Sequence, residues 1–186
     1  MKRLFDITLA IIALIVFAIP MVILALLIRL TSKGPALYWS QRVGKQNKIF
    51  LMPKFRSMHI DAPQIATHLM ADPKAHLIPV GDFIRKSSLD ELPQIFSVFS
   101  NDMSFVGPRP ALFNQYDLIE LRTKSGVHLL KPGITGWAQI NGRDEIPIPQ
   151  KVALDAEYLK RKNFFFDLKI ILLTAYKVVS RKNITH

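Results

Sequence analysis

Residues 7–28 run for 22 positions without a charge, and no later stretch matches them. As a helix this run is roughly 33 Å long, about the thickness of a bilayer's hydrocarbon core. It is too long for a signal-peptide core, and no small-residue cleavage site follows it. Apolar residues cover every face, more than a soluble domain of this size could bury, so the pattern predicts a membrane helix. Pro20 removes a backbone hydrogen bond in its second half and predicts a kink. Lys2 and Arg3 precede the run, and Arg29 and Lys33 follow it. A positive flank favours the cytoplasmic side. Both flanks are satisfied if the helix enters the membrane, bends at Pro20 and leaves by the same face. A tilted span is the alternative these residues leave open.

Beyond the run the periods shorten. Lys33-Gly34-Pro35 predicts a turn. Residues 36–39 and 48–52 read as short strands joined through Gly44. Residues 61–80 carry Pro63, Pro73 and Pro79 and predict a loop with at most one short helix. Residues 91–100 and 112–125 read as helices, 131–143 as a glycine- and proline-rich loop, and 150–162 as a polar helix. Residues 164–179 form an amphipathic candidate beginning Phe164-Phe165-Phe166, beside Lys160, Arg161 and Lys162. That composition suits a helix in the membrane interface and equally a helix packed on a core. The expected fold is α/β and mainly helical. It comprises a kinked, re-entrant membrane helix over residues 1–32 and a compact cytoplasmic catalytic domain over 33–186, with amphipathic interfacial helices and a few short strands.

Composition narrows the partners. The chain has 186 residues, enough for one domain and an appendage. It contains no cysteine, which excludes disulfides and zinc–thiolate sites. Twenty-five basic residues against 14 acidic ones give a net charge of +11, an attraction for polyanions. No nucleic-acid-binding signature accompanies the charge, so a membrane and a phosphorylated substrate are the expected partners and nucleic acid is not.

The candidate chemistry lies in Ser87-Ser88-Leu89-Asp90-Glu91-Leu92-Pro93-Gln94 and Gly107-Pro108-Arg109-Pro110. Asp90 and Glu91 are expected at a helix start. Either Asp90 caps it, or Ser88 caps it and Glu91 completes a capping box. Acidic residues at helix starts usually only cap. Here Arg85 and Lys86 lie just upstream, and Arg109 is held between prolines. An arginine fork suits phosphate oxygens, and paired carboxylates suit Mg2+. A carboxylate nucleophile, a second acid and a fixed guanidinium are parts for moving a phosphoryl group.

These motifs, in order, resemble the monotopic phosphoglycosyl transferases, also called bacterial sugar transferases. The likeness runs nearly end to end. It includes Lys2-Arg3-Leu4-Phe5-Asp6, Gly34-Pro35, Gln41-Arg42-Val43-Gly44, Lys54-Phe55-Arg56-Ser57-Met58, the two segments just quoted with Asp102-Met103-Ser104-Phe105-Val106 before Gly107, then Lys131-Pro132-Gly133-Ile134-Thr135-Gly136-Trp137-Ala138-Gln139 and Asn141-Gly142-Arg143. The resemblance implies transfer of a sugar 1-phosphate from a UDP-sugar to polyprenol phosphate, with UMP released. This is the first membrane step of bacterial glycan assembly, on the cytoplasmic face of the inner membrane. It further implies a ping-pong mechanism with Mg2+ through a phosphosugar ester on Asp90, with Glu91 beside it and both acids on the metal. Lys54, Arg56, Arg85 and Arg109 are the expected phosphate-binding cations. Trp137, Gln139, Asn141 and Arg143 are the expected nucleotide-sugar pocket. Members often carry Ser-Pro at the helix break, whereas this chain has Ile19-Pro20, so the carbonyl freed at the kink needs another partner. The competing readings are a membrane-bound phosphatase or pyrophosphatase using the same acids, and a basic membrane-anchored binding protein. The sugar and the oligomeric state, homo-oligomer included, are left open.

Overall fold

The computed structural model describes residues 1–63, 70–142 and 146–180. The uncharged run becomes one helix, α1 (Lys2–Thr31), with Pro20 inside it. It is the described helix long and apolar enough to cross a membrane. Its buried residues are Asp6, Ala10, Met21, Leu24 and Ile28. Spacings of four, eleven, three and four place them on one stripe. Between Ala10 and Met21 nothing is buried, so the helix is held at its two ends and bare in its middle turns. Ile11, Ile12, Ile15, Val16, Ile19, Val22, Ile23, Leu26 and Leu27 are all exposed.

Each end of α1 is fastened to the domain. At the start, Asp6 is 4% exposed and accepts from Ser104 Oγ at 2.9 Å and Phe105 N–H at 3.1 Å. Lys2 Nζ reaches Asp167 Oδ2 at 2.5 Å and Val106 O at 3.2 Å. Arg3 donates to Val98 O and Phe99 O. The two basic residues of the first flank therefore grip protein. At the far end, Met21, Leu24 and Ile28 share a core with Phe55, Ile78 and Ile84.

The predicted strands pair as an antiparallel hairpin, β1 (Leu37–Val43) with β2 (Ile49–Phe55), in a register from Leu37↔Phe55 to Val43↔Ile49. Strand alternation buries Ser40 and Met52 on one face and leaves Trp39, Ile49 and Leu51 on the other. Lys54 continues the Met52 face. A helix α2 (Gly81–Lys86), a 3-10 turn over Leu89–Gln94 and a helix α3 (Ile95–Phe99) follow. Part of the loop expected over 61–80 lies outside the described residues; within it, Lys74–His76 form a 3-10 turn. Next come β3 (Ser104–Val106) and α4 (Tyr116–Lys124), shorter than the helix expected over 112–125.

The expected loop over 131–143 is a correction, because it holds β4 (Gly133–Thr135), parallel to β3, and α5 (Trp137–Ile140). Its glycines are there for close approach. A Cβ on Gly136 would lie 2.0 Å from Gly107 O, and one on Gly133 would lie 2.1 Å from Gly107 N. Two backbones meet where no side chain fits. Helices α6 (Ile148–Arg161) and α7 (Phe164–Ser180) close the fold. On α7 the inner face carries Phe166 and Ile170 into a core with Val106, Ile140 and Tyr158, while Phe165, Leu172 and Tyr176 stay exposed. The protein is mainly helical with a few short strands, as expected.

Candidate active site

The pair Asp90-Glu91 sits in the first turn of the 3-10 segment rather than of an α-helix. Ser88 occupies the cap position in the left-handed region, at φ 56°, and its side chain makes no cap bond. Neither capping reading survives, since Glu91 turns away from Ser88. Its Oε1 takes Lys54 Nζ at 3.0 Å and Arg109 Nη2 at 2.8 Å. Lys54 also reaches Asp90 Oδ2 at 3.3 Å. Two carboxylates and two cations thus form one cluster, with Lys54, Asp90 and Glu91 side chains each 14% exposed. Asp90 Oδ1 has no partner among the described residues. That carboxylate oxygen lies at the edge of a mostly dry cluster.

Three elements bring these groups together. Lys54 comes from β2 through strand alternation. Asp90 and Glu91 come from the turn packed against it. Arg109 comes from the segment after β3, whose backbone is held on both sides. Gly107 N–H donates to Thr135 O and Gly133 N–H to Pro108 O, both at 2.9 Å. Arg42 Nη1 donates to Pro110 O at 3.2 Å, and Val43 N–H to Ala111 O at 3.0 Å. Arg122 Nη1 donates to the carbonyl of Arg109 itself at 2.8 Å. Arg122 is in turn clamped by Asp155, whose Oδ2 accepts from Nε at 3.0 Å and Nη2 at 2.6 Å. Asp155 is 1% exposed. Burial pushes its carboxyl above the ordinary carboxylate range, and Arg122 only partly opposes this. Burial first, and then the hydrogen bond to Asp167, push the Tyr158 phenol far up, so it remains a donor.

Arg56, Trp137, Gln139 and Asn141 have their printed partners away from this cluster. Arg56, expected on substrate phosphate, is 5% exposed and turned to the exit of α1. Its Nε donates to Pro35 O at 2.7 Å and its Nη2 to Ser32 Oγ at 2.8 Å. Arg85 is half-buried in the last turn of α2. Trp137 donates to Glu157 Oε2 at 2.8 Å and packs on Phe166. Gln139 donates to Ile134 O and Asn141 to Trp137 O. Of these three expected pocket residues, Trp137 ties α5 to α6, Gln139 ties α5 to β4, and Asn141 bonds back to the start of α5. Arg143 lies outside the described residues. Among the described residues no three His, Asp or Glu side chains gather as a metal site. Asp90 and Glu91 alone fit Mg2+, which commonly takes one or two carboxylates and completes its shell with substrate phosphates and water. Sequence reasoning missed Arg42, Arg122 and Asp155.

The chain thus combines a long helix with an exposed apolar middle and a cluster of one lysine, two carboxylates and one arginine. The family model for bacterial sugar transferases matches residues 1–181, and the chain belongs to that family. It is 41% identical over 186 residues to the uncharacterized sugar transferase EpsL of Bacillus subtilis (strain 168), covering 99% of this chain and 90% of that protein. It is also 41% identical over 191 residues to the UDP-glucose:undecaprenyl-phosphate glucose-1-phosphate transferase of Escherichia coli (strain K12), covering 95% of this chain and 40% of the relative. The undecaprenyl-phosphate galactose phosphotransferase of Salmonella typhimurium is 38% identical over 201 residues, covering 98% of this chain and 41% of its own length. The chain therefore spans most of the Bacillus protein and about two fifths of the two enterobacterial ones.

Proposed function

We propose that this chain transfers a sugar 1-phosphate from a UDP-sugar to polyprenol phosphate and releases UMP, in two displacements through Asp90. The observation that carries it is the free Asp90 Oδ1 at the edge of the Lys54–Glu91–Arg109 cluster. Asp90 Oδ1 attacks the sugar-bearing phosphorus. The bond from that phosphorus to the bridging oxygen breaks, and UMP leaves with that oxygen. A phosphate oxygen of polyprenol phosphate then attacks the same phosphorus and the aspartyl ester breaks, leaving a polyprenol diphosphate sugar. Arg109 grips the phosphate oxygens as charge shifts, and Lys54 holds Asp90 in line. Mg2+ held by Asp90 and Glu91, when bound, supplies further neutralisation of the diphosphate. The printed activities of the Escherichia and Salmonella relatives support the donor and acceptor classes.

The site's height above the lipid follows from α1. Both ends of α1 pack on one domain, which supports a re-entrant helix and a catalytic domain on the cytoplasmic face of the bacterial inner membrane, where nucleotide sugars are made. Terminal tags should both be protected in intact spheroplasts and accessible after lysis; an N-terminus exposed outside would mean a span. The test of the chemistry is purified protein with a panel of UDP-sugars and polyprenol phosphate. UMP should appear with one donor or a few. Mass spectrometry after donor alone should find a sugar-phosphate adduct on Asp90. UMP formed without the donor's sugar phosphate reaching either Asp90 or the lipid would refute the proposal.

A further inference from the structure

The fork of Arg109 is already taken. Glu91 Oε1 lies 2.8 Å from Arg109 Nη2 and 3.0 Å from Lys54 Nζ, and Glu91 Oε2 lies 3.4 Å from Arg109 Nη1. Both prongs of the guanidinium meet one carboxylate, in the two-pronged manner in which arginine takes a phosphate. We propose that Glu91 is an internal guard of this fork. In the resting protein its carboxylate holds the phosphate position, and the donor's diphosphate binds tightly only once Glu91 has turned from Arg109 to a divalent cation. The proposal rests on the phosphoryl-transfer reading above.

The first support is which member of the cluster can move. Arg109 is fixed from behind. Arg122 donates to its carbonyl at 2.8 Å, Arg42 to Pro110 O at 3.2 Å, and Gly133 N–H to Pro108 O at 2.9 Å. Lys54 stands on β2 and holds Asp90 Oδ2 at 3.3 Å as well as Glu91. Glu91 is the member that can leave. Its backbone N–H stays on Ser88 O at 3.2 Å while rotation between staggered side-chain positions carries the carboxylate off the cations.

The second support is electrostatic. A carboxylate and a phosphate cannot share one fork. The Lys54, Asp90 and Glu91 side chains are each 14% exposed, so water screens their charges weakly and a second anion there meets strong repulsion. Glu91 Oε1 and Asp90 Oδ2 both lie within reach of the one Lys54 ammonium. The guarded position is therefore next to the nucleophile, where a phosphate oxygen of the donor has to come. Turning Glu91 to a divalent cation beside Asp90 clears it, and adjacent carboxylates suit such a cation. Linkage makes the effect reciprocal: donor affinity rises with the cation, and cation affinity with the donor, by the same factor. A donor that arrives without its metal is thus held off the nucleophile.

UDP is the probe, since it brings the diphosphate and no sugar phosphate to transfer. Its affinity for the full chain in nanodiscs is measured by titration calorimetry, in excess chelator and in Mg2+. Glu91→Gln keeps the shape and loses the charge, and its amide offers one acceptor where the fork meets two. Glu91→Asp keeps the charge but is one methylene shorter, which loosens its hold on Arg109. In chelator both variants should bind UDP more tightly than wild type, Glu91→Gln by roughly tenfold or more, because charged hydrogen bonds no longer have to be broken first. In Mg2+ the gain should shrink, and uridine, which carries no phosphate, should gain nothing. UDP binding in chelator that is equal or weaker in both variants would overturn the proposal. So would an equal gain for uridine, which would place the effect outside the fork. Adduct formation on Asp90 from a UDP-sugar in Mg2+, measured in wild type, keeps the two readings apart. An adduct in wild type with no gain in the variants removes the guard alone. A gain in the variants with no wild-type adduct keeps the guard and removes transfer through Asp90.

Discussion

Removing Arg122 tests whether the carbonyl behind Arg109 must be held. Arg122 does two things at once, pairing with Asp155 in the interior and donating to Arg109 O. Arg122→Ala would strand a carboxylate that is 1% exposed, at a cost of about 3–5 kcal/mol, a large share of a domain's total stability. Loss of activity in that variant would say nothing about positioning. The informative variant is Arg122→Met/Asp155→Leu. Replacing both members of a buried pair by apolar residues is commonly neutral or stabilising, so the urea midpoint should return close to wild type. The Arg109 carbonyl, however, still loses the hydrogen bond from its charged donor Arg122.

The segment does not collapse, because Arg42 still holds Pro110 O and Gly133 still holds Pro108 O. What changes is the placement of the Arg109 guanidinium, and an error near 1 Å at a catalytic group costs on the order of a hundredfold. Release of UMP from the UDP-sugar should fall about 10- to 100-fold in kcat in the double variant, with KM moved much less. Wild-type turnover in a double variant of wild-type stability would refute the role assigned to Arg122.

Asp90→Asn should abolish turnover and the covalent adduct while the protein still folds and stays with membranes; substantial residual activity would remove Asp90 from the chemistry. Arg109→Lys keeps the charge but loses the fork, so most activity should go, and Arg109→Ala should be worse; near-normal kinetics in the alanine variant would make Arg109 structural. Excess chelator should stop UMP release and added Mg2+ should restore it, whereas full activity in chelator would mean a metal-free reaction. The pH dependence follows from Asp155, whose folded pKa is raised by burial. Its contribution is full below the ordinary carboxylate pKa of about 4 and is lost as the pH rises through the elevated folded value. Wild type should therefore lose stability relative to Asp155→Asn as pH rises from about 4, and a flat or rising difference in unfolding midpoints would contradict the assignment.

Asp90, Glu91 and Arg109 were legible because the motifs carry their chemistry locally, as adjacent acids in one turn and an arginine fixed by flanking prolines. Lys54 was legible as a motif residue, and strand alternation then explains why it faces the acids. Arg42, Arg122 and Asp155 were not, because their partners come from elements far apart in sequence. A signal for two of them was nonetheless present. Arg122 falls four residues after Leu118, on the buried face of α4. Asp155 falls three residues from both Val152 and Tyr158, on the buried face of α6. A charge on an apolar stripe has to find a partner inside, and each of these is the other's. Asp6, four residues before buried Ala10, obeys the same rule. The strand and short helix within 131–143 were hidden for the opposite reason. Glycine reads as a loop from sequence, and here it is the device that lets β4 press against Gly107.

The same buried charges explain how the apolar helix α1 is tied to the candidate site. A straight 30-residue helix is about 45 Å long, and α1 touches the domain near both of its ends. Asp6 and Lys2 tie its start to β3 and α7. Arg56 ties its exit to β2 through Ser32 and Pro35. Arg56 stands two residues from Lys54, and Lys54 bonds Asp90 and Glu91. The path from the end of α1 to the reacting carboxylate is therefore one ion-pair cluster, one strand residue and one guanidinium. A shift at that exit would move Lys54 with it. Arg56 thus fastens the exit of α1 to the strand that carries Lys54, and through Lys54 to Asp90 and Glu91.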